Sequence, residues 1–309
     1  MRKYFKHLFF FSLFTTAVYV LLLVIWGEFM PAVFKKNLNY SLGAYGHMHT
    51  RLREVEKYKN IDILFVGASN AYRGFDTRIA KAYGYESFNL GSSAQTPVQT
   101  KLLLDKYLDV LNPKILMYAV NPVILSNDGV ESSLDIIANG NIDSKVLQMA
   151  VTINDIKTYN SLVYGLYRHV FNRDKNFKEN TVIAENRYIP GGFVERTVTF
   201  NKIIDTGRQH KIGFTPVNYQ LEAFENIIDL VKKKGIILIL VQAPVTSAAL
   251  NMYTDNNKID SFFSGKATYY NFNKLLHLSD TANFYNADHL NQTGVKIFND
   301  SLYIKILKK

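Results

Sequence analysis

Four residues stand where they could act together on an acyl group: Ser69, Gly91, Asn121 and His289. Ser69 follows an apolar run in VGASNAYRGFD. A hydroxyl at a strand-to-helix turn can stand above the sheet edge, backed by the amides of the helix start. Gly91 closes FNLG, where a backbone amide could face a developing oxyanion. Asn121 directly follows KILMYAV, and its side-chain amide could be a further donor. His289, in FYNADHLNQTG, could take the proton of a hydroxyl. Each has an ordinary alternative: a helix cap for Ser69, a turn glycine for Gly91, a turn or cap for Asn121, a structural imidazole for His289. Their order along the chain and their shared sheet edge give the chemical reading its weight.

The elements that must position them follow from apolar runs and their punctuation. IDILFVGA (61–68), ESFNLG (86–91), KILMYAV (114–120) and IILILVQ (236–242) are short apolar stretches ending in turns, as buried parallel strands are. Thr96 and Pro97 predict the start of a helix, and Asn112 before Pro113 predicts its end. Leu221, Phe224, Ile227, Ile228 and Val231 mark one face of a second helix, closed by Lys232, Lys233, Lys234 and Gly235. A last helix runs from Gln292 to about Leu307. This rhythm predicts an α/β fold, a parallel sheet with helices on both faces. Between 126 and 217 the rhythm breaks into mixed aromatic and polar sequence with a PGG turn. We read that stretch as an insertion, either over the carboxyl edge of the sheet, where ligands bind in open α/β folds, or as plain structural elaboration.

The N-terminus reads as a membrane anchor. From Leu8 to Trp26 no residue is charged, enough for about 28 Å of helix, close to the hydrocarbon thickness of a bilayer. Arg2, Lys3 and Lys6 precede it, so the positive-inside rule puts residues 1–7 in the cytoplasm and the remainder outside the cytoplasmic (inner) membrane, periplasmic or extracellular. The run ends in WGEFMP, which lacks the small-residue site of a cleaved signal peptide. The expected plan is a tail (1–7), an anchor (8–27), a stalk (28–58) and an α/β domain (59–309).

Composition narrows the chemistry. With no cysteine there is no thiolate nucleophile, disulfide or Cys-ligated metal. The net charge of +10 suggests nucleic acid, but five cations against one anion fall in the first 36 residues and the later basic runs are short, so no nucleic-acid partner is expected. No phosphate-cradling Gly-Lys-Ser/Thr loop occurs. His47 and His49, in GHMH, are the closest histidine pair and are expected on a stalk or surface rather than in a metal site. No cofactor and no metal is expected.

The four positions taken together resemble the SGNH/GDSL hydrolase superfamily. Gly67-Ala68-Ser69 is similar to the family's Gly-Asp-Ser block with Ala for Asp, Gly91 to its second block, Ala119-Val120-Asn121-Pro122 to its third, and Asn286-Ala287-Asp288-His289 to its Asp-x-x-His block. The likeness runs from about residue 59 to the end. It implies a flavodoxin-like sheet, a Ser69 nucleophile, a His289 base, and an oxyanion hole from Ser69, Gly91 and Asn121. GASNAYRGFD and DHLNQTG resemble the membrane-anchored branch, with its bacterial envelope O-acetyltransfer and D-alanyl transfer proteins. That branch implies an acyl-ester or polysaccharide substrate and a membrane-bound O-acyltransferase as partner. One departure bears on mechanism: Asn286 stands where the family has Asp. Asn286 could orient His289 without charge, Asp288 could take the carboxylate's place, or the domain could be a scaffold that binds a glycan or a membrane partner.

Overall fold

The computed structural model describes residues 1–197 and 211–307; positions 198–210 of the expected insertion, and the last two of the expected domain, lie outside the described residues. In chain order the main elements are α1 (Arg2–Phe29), α2 (Met48–Glu54), β1 (Ile63–Gly67), α3 (Ser69–Gly74), α4 (Thr77–Ala82), β2 (Ser87–Asn89), α5 (Pro97–Leu111) and β3 (Ile115–Ala119). Then come α6 (Val130–Asn139), α7 (Ser144–Ile153), α8 (Ile156–Val170), β4 (Val182–Ile183), β5 (Asn186–Ile189) and β6 (Phe193–Arg196). The chain closes with α9 (Asn218–Lys233), β7 (Ile237–Gln242), α10 (Ser247–Leu250), α11 (Asn256–Ser264), β8 (Thr268–Asn271), α12 (Phe272–Leu275), β9 (Phe284–Asn286), β10 (His289–Leu290) and α13 (Gln292–Ile306).

Five strands form one parallel sheet in the order β2-β1-β3-β7-β8. Period-two alternation divides the core between its faces. Leu64, Val66, Leu116, Tyr118 and Leu240 face α5, α9 and α11, meeting Leu104, Leu108, Phe224, Ile227 and Phe263. Ile63, Phe65, Met117, Ile239 and Val241 face the other way, against Phe75, Phe272, Val295, Phe298 and Leu302. The α/β fold with helices on both faces is therefore as expected, and its strand order is the flavodoxin-like one. The fifth strand, β8, was not anticipated: TYYN is half-exposed at the sheet edge, so it lacks the apolar run by which the others are read.

Local signals set the element ends. Thr96 and Gln99 form a capping box at the start of α5, with Pro97 in its first turn. Asn112 stops the helix in the left-handed region at φ 40°. The stretch 126–217 contributes α6–α8 and a three-stranded antiparallel sheet, β4-β5-β6.

In the N-terminal region α1 runs from Arg2 to Phe29 and contains the expected anchor, 8–27. It is long and apolar enough to cross a membrane, and Phe9, Phe11, Phe14, Leu21 and Leu22 are exposed along it. The segment 28–58, expected as a stalk, packs on the body. Leu38, Met48, Leu52 and Val55 are buried in the body, and so are His47 and His49, contrary to the exposed position expected for them. The reason is that Met48 and Leu52 of α2, with Val55 directly after it, recur at helical spacing and pack against neighbouring parts of the core.

Candidate active site

The carboxyl ends of β1 and β3 flank the point where the strand order reverses, and the crevice of an open α/β sheet lies there. β1 ends at Gly67, whose φ of +132° suits glycine; a Cβ there would come within 2.6 Å of the Ala119 carbonyl oxygen on β3. The strand can therefore close up on β3 and then turn, through Ala68, into α3. Ser69 is the first residue of α3, half-buried, with its amide among those that have no acceptor inside the helix.

His289 arrives from 220 residues away, on the short antiparallel pair β9–β10. Its Nε2 lies 2.7 Å from Ser69 Oγ and its Nδ1 lies 3.0 Å from Asn286 Oδ1. The same Asn286 oxygen accepts the backbone N–H groups of Asp288, at 3.0 Å, and His289, at 2.9 Å. Two backbone donors identify that atom as the carbonyl oxygen of the amide. Nδ1 must then carry the proton, leaving the Nε2 lone pair to accept from the Ser69 hydroxyl. This is the tautomer that a proton-accepting imidazole needs.

Asn121 has two functions available at once. Its Oδ1 accepts from the amides of Val123 (2.9 Å) and Ile124 (3.1 Å), closing the turn after β3. That fixes the orientation of the carboxamide and leaves Nδ2 on the cavity side, 3.5 Å from Asn70 Oδ1. Ser69, Asn121, Asp288 and His289 all line one cavity of about 280 Å3.

Two site expectations are corrected. Gly91 does not line that cavity; it is buried, and its amide donates to Asn89 Oδ1 at 3.1 Å. Asn89 closes β2 and is itself fixed by donating to the carbonyls of Ala71 and Phe75, so the Gly91 amide is held inward rather than towards a substrate. Asp288 does not supply the partner of His289 Nδ1, because Asn286 occupies that place. The Asp288 carbonyl accepts from Asn70 Nδ2 at 2.8 Å.

Asn70, adjoining the nucleophile, thus ties α3 to the histidine loop across 218 residues of sequence, and nothing in its spacing marks it. Tyr285 was also missed. Its ring stacks on that of His289 with centroids 5.5 Å apart and planes 9° apart, and the Arg196 guanidinium lies 4.4 Å from the Tyr285 ring centroid. Burial pushes the Tyr285 phenol above its ordinary pKa. At the cavity wall Ser93 donates to Glu131 Oε1 at 2.6 Å, bringing a carboxylate from α6 to the crevice. Among the described residues, no three His, Asp or Glu side chains converge to hold a metal ion.

No family model matches the chain, and no curated protein does. Among solved structures, one assigned as an acylhydrolase from Bacteroides fragilis NCTC 9343 aligns at a TM-score of 0.40 and 11% identity, covering 83% of this chain and 93% of that one. A GDSL-like lipase from Bacteroides thetaiotaomicron VPI-5482 aligns at a TM-score of 0.39 and 12% identity, covering 84% of this chain and 96% of the other.

Proposed function

We propose that the protein is a membrane-anchored serine acyl esterase or O-acyltransferase, with Ser69 as nucleophile and His289 as general acid and base. The observation that carries this reading is the 2.7 Å contact between Ser69 Oγ and His289 Nε2, with Nδ1 committed to Asn286. Ser69 Oγ attacks the acyl carbonyl while its proton passes to Nε2, and a C–O bond forms. The tetrahedral intermediate collapses, and the departing alcohol takes the proton from Nε2. Water or a sugar hydroxyl then attacks the Ser69 ester and gives its proton to Nε2; the Ser69 Oγ–acyl bond breaks, the acyl product leaves, and Ser69 Oγ takes that proton from Nε2. The Ser69 amide and Asn121 Nδ2 serve as oxyanion donors, each worth about 3–4 kcal/mol in comparable sites.

The finer reading is an acetyl or related acyl group, and a cell-envelope or secreted polysaccharide as the substrate on the outer side of the membrane. The uncharged run Leu8–Trp26 within α1 and the cations Arg2, Lys3 and Lys6 before that run support that topology. A membrane-bound O-acyltransferase would suit such a reaction as the partner that delivers the acyl group.

A serine-directed fluorophosphonate tests the nucleophile. Wild-type protein should be labelled and Ser69→Ala should not; equal labelling of both removes Ser69 from the mechanism. A second reading, a scaffold subunit that binds a glycan or a membrane partner, draws on the neutral amide at His289 Nδ1, which supplies no charge to an imidazolium. Full biological function after Ser69→Ala, with stable copurification of an integral membrane protein, would favour it.

A further inference from the structure

The end of α1 does not stand alone. At 28 residues α1 is about 42 Å long, some 12 Å more than the hydrocarbon of a bilayer. Its last turns lie against the body: Tyr19 Oη donates to Asn160 Oδ1 at 2.5 Å, Leu23 and Gly27 are buried, and Glu28 pairs with Arg168 at 3.3 Å. The chain then folds back beside α1. Lys35 Nζ donates to the Gly27 carbonyl at 2.6 Å, and Asn160 Nδ2 donates to the Asn37 carbonyl at 2.8 Å. The turn made on the way is PAVFKK, with Val33 69% and Phe34 62% exposed.

Lys35 and Lys36 share a groove of about 650 Å3 with Lys157 from the start of α8. Asp128 and Glu131, from the α6 end, are the anions in its lining. Two exposed apolar side chains followed by cations, beside a spanning helix and at its outer end, suit the boundary of a leaflet: rings and methyls towards acyl chains, ammonium groups towards phosphates. We propose that Val33, Phe34, Lys35, Lys36 and Lys157 form a docking surface for the phosphate headgroup of an anionic phospholipid in the leaflet the body faces. This rests on α1 crossing the bilayer, not on the chemistry of Ser69. Continuity with α1 and the excess of lysines favour lipid over a protein partner for so small a patch.

Trp26 is the chain's single tryptophan, so depth can be read one position at a time. In full-length protein in vesicles of phosphatidylcholine and phosphatidylglycerol, Trp26→Phe with Leu13→Trp should be quenched by lipids brominated deep in the chains. If it is not, the spanning reading fails. Trp26→Phe with Phe34→Trp should be quenched by lipids brominated near the headgroup, losing about half its intensity on the expectation of interfacial burial. Quenching of the first variant without the second overturns the docking surface alone. Energy transfer from Trp26 should favour dansyl-phosphatidylglycerol over dansyl-phosphatidylcholine by about twofold or more, and Lys35→Gln, Lys36→Gln and Lys157→Gln together should bring that ratio to about one. An unchanged ratio overturns headgroup recognition.

Discussion

His289 Nδ1 lies 3.0 Å from Asn286 Oδ1, an oxygen that already holds two backbone amides of its own loop. The amide therefore fixes the imidazole in the useful tautomer while giving the imidazolium no counter-charge. An Asp at this position would keep all three acceptor contacts and add the charge. Asn286→Asp should raise acetyl-ester turnover by about 10²-fold or more, within the range a triad carboxylate is worth. Asn286→Leu, which frees the ring, should lower it. Steady-state rates on one ester decide this, and an Asp variant no faster than wild type would detach His289 from the chemistry.

Asn121 lets turn and donor be separated. Asn121→Asp retains an acceptor for the Val123 and Ile124 amides but loses Nδ2 as a donor and sets a negative charge beside the oxyanion. Turnover should fall by about 10²–10³-fold with little change in Tm. A fall in Tm alone, with turnover intact, would reduce Asn121 to a turn residue.

Gly67 is where the fold and the nucleophile meet. In Gly67→Ala the new methyl would come 2.6 Å from the Ala119 carbonyl at a φ of +132°, with backbone on the far side of the clash. Urea unfolding should show a loss of about 2–4 kcal/mol, and fluorophosphonate labelling of Ser69 should fall as the turn shifts.

Asp135, on α6, is buried, and burial raises its pKa to about 8 although Arg51 nearby opposes this. Its Oδ2 has no hydrogen-bond partner among the described residues. The folded protein keeps a proton that the unfolded chain releases near pH 4, so stability declines as pH rises from about 4 through 8. Asp135→Asn removes that slope. Its Tm should match wild type near pH 4 and exceed it at pH 8, by roughly 2–4 °C for each kcal/mol recovered. Thermal melts across that range decide it; parallel curves would mean Asp135 is charged in the fold.

The three inner strands could be read from the sequence because burial on both sides leaves apolar runs, as in Leu64–Phe65–Val66, and β2, though at an edge, is buried along Ser87–Asn89. β8 could not, because TYYN at the opposite edge is exposed or half-buried at every position. The meeting of Ser69 with His289 was legible from strand-end placement together with the family resemblance. Which way an amide points is not written in residue types: Gly91 sits at a strand end, yet Asn89 two residues earlier takes its N–H. The 28–58 stretch looked like a stalk because its charged residues hide the spacing of Met48, Leu52 and Val55.

The Tyr19–Asn160 and Glu28–Arg168 contacts bind the outer turns of α1 to α8 at two heights. A globule on a flexible tether sweeps a wide volume above its root. This one is carried like a head on a stiff neck: with α1 in a bilayer as proposed, the Ser69 crevice would keep one altitude and one bearing over the lipid, and a substrate would have to be brought to it.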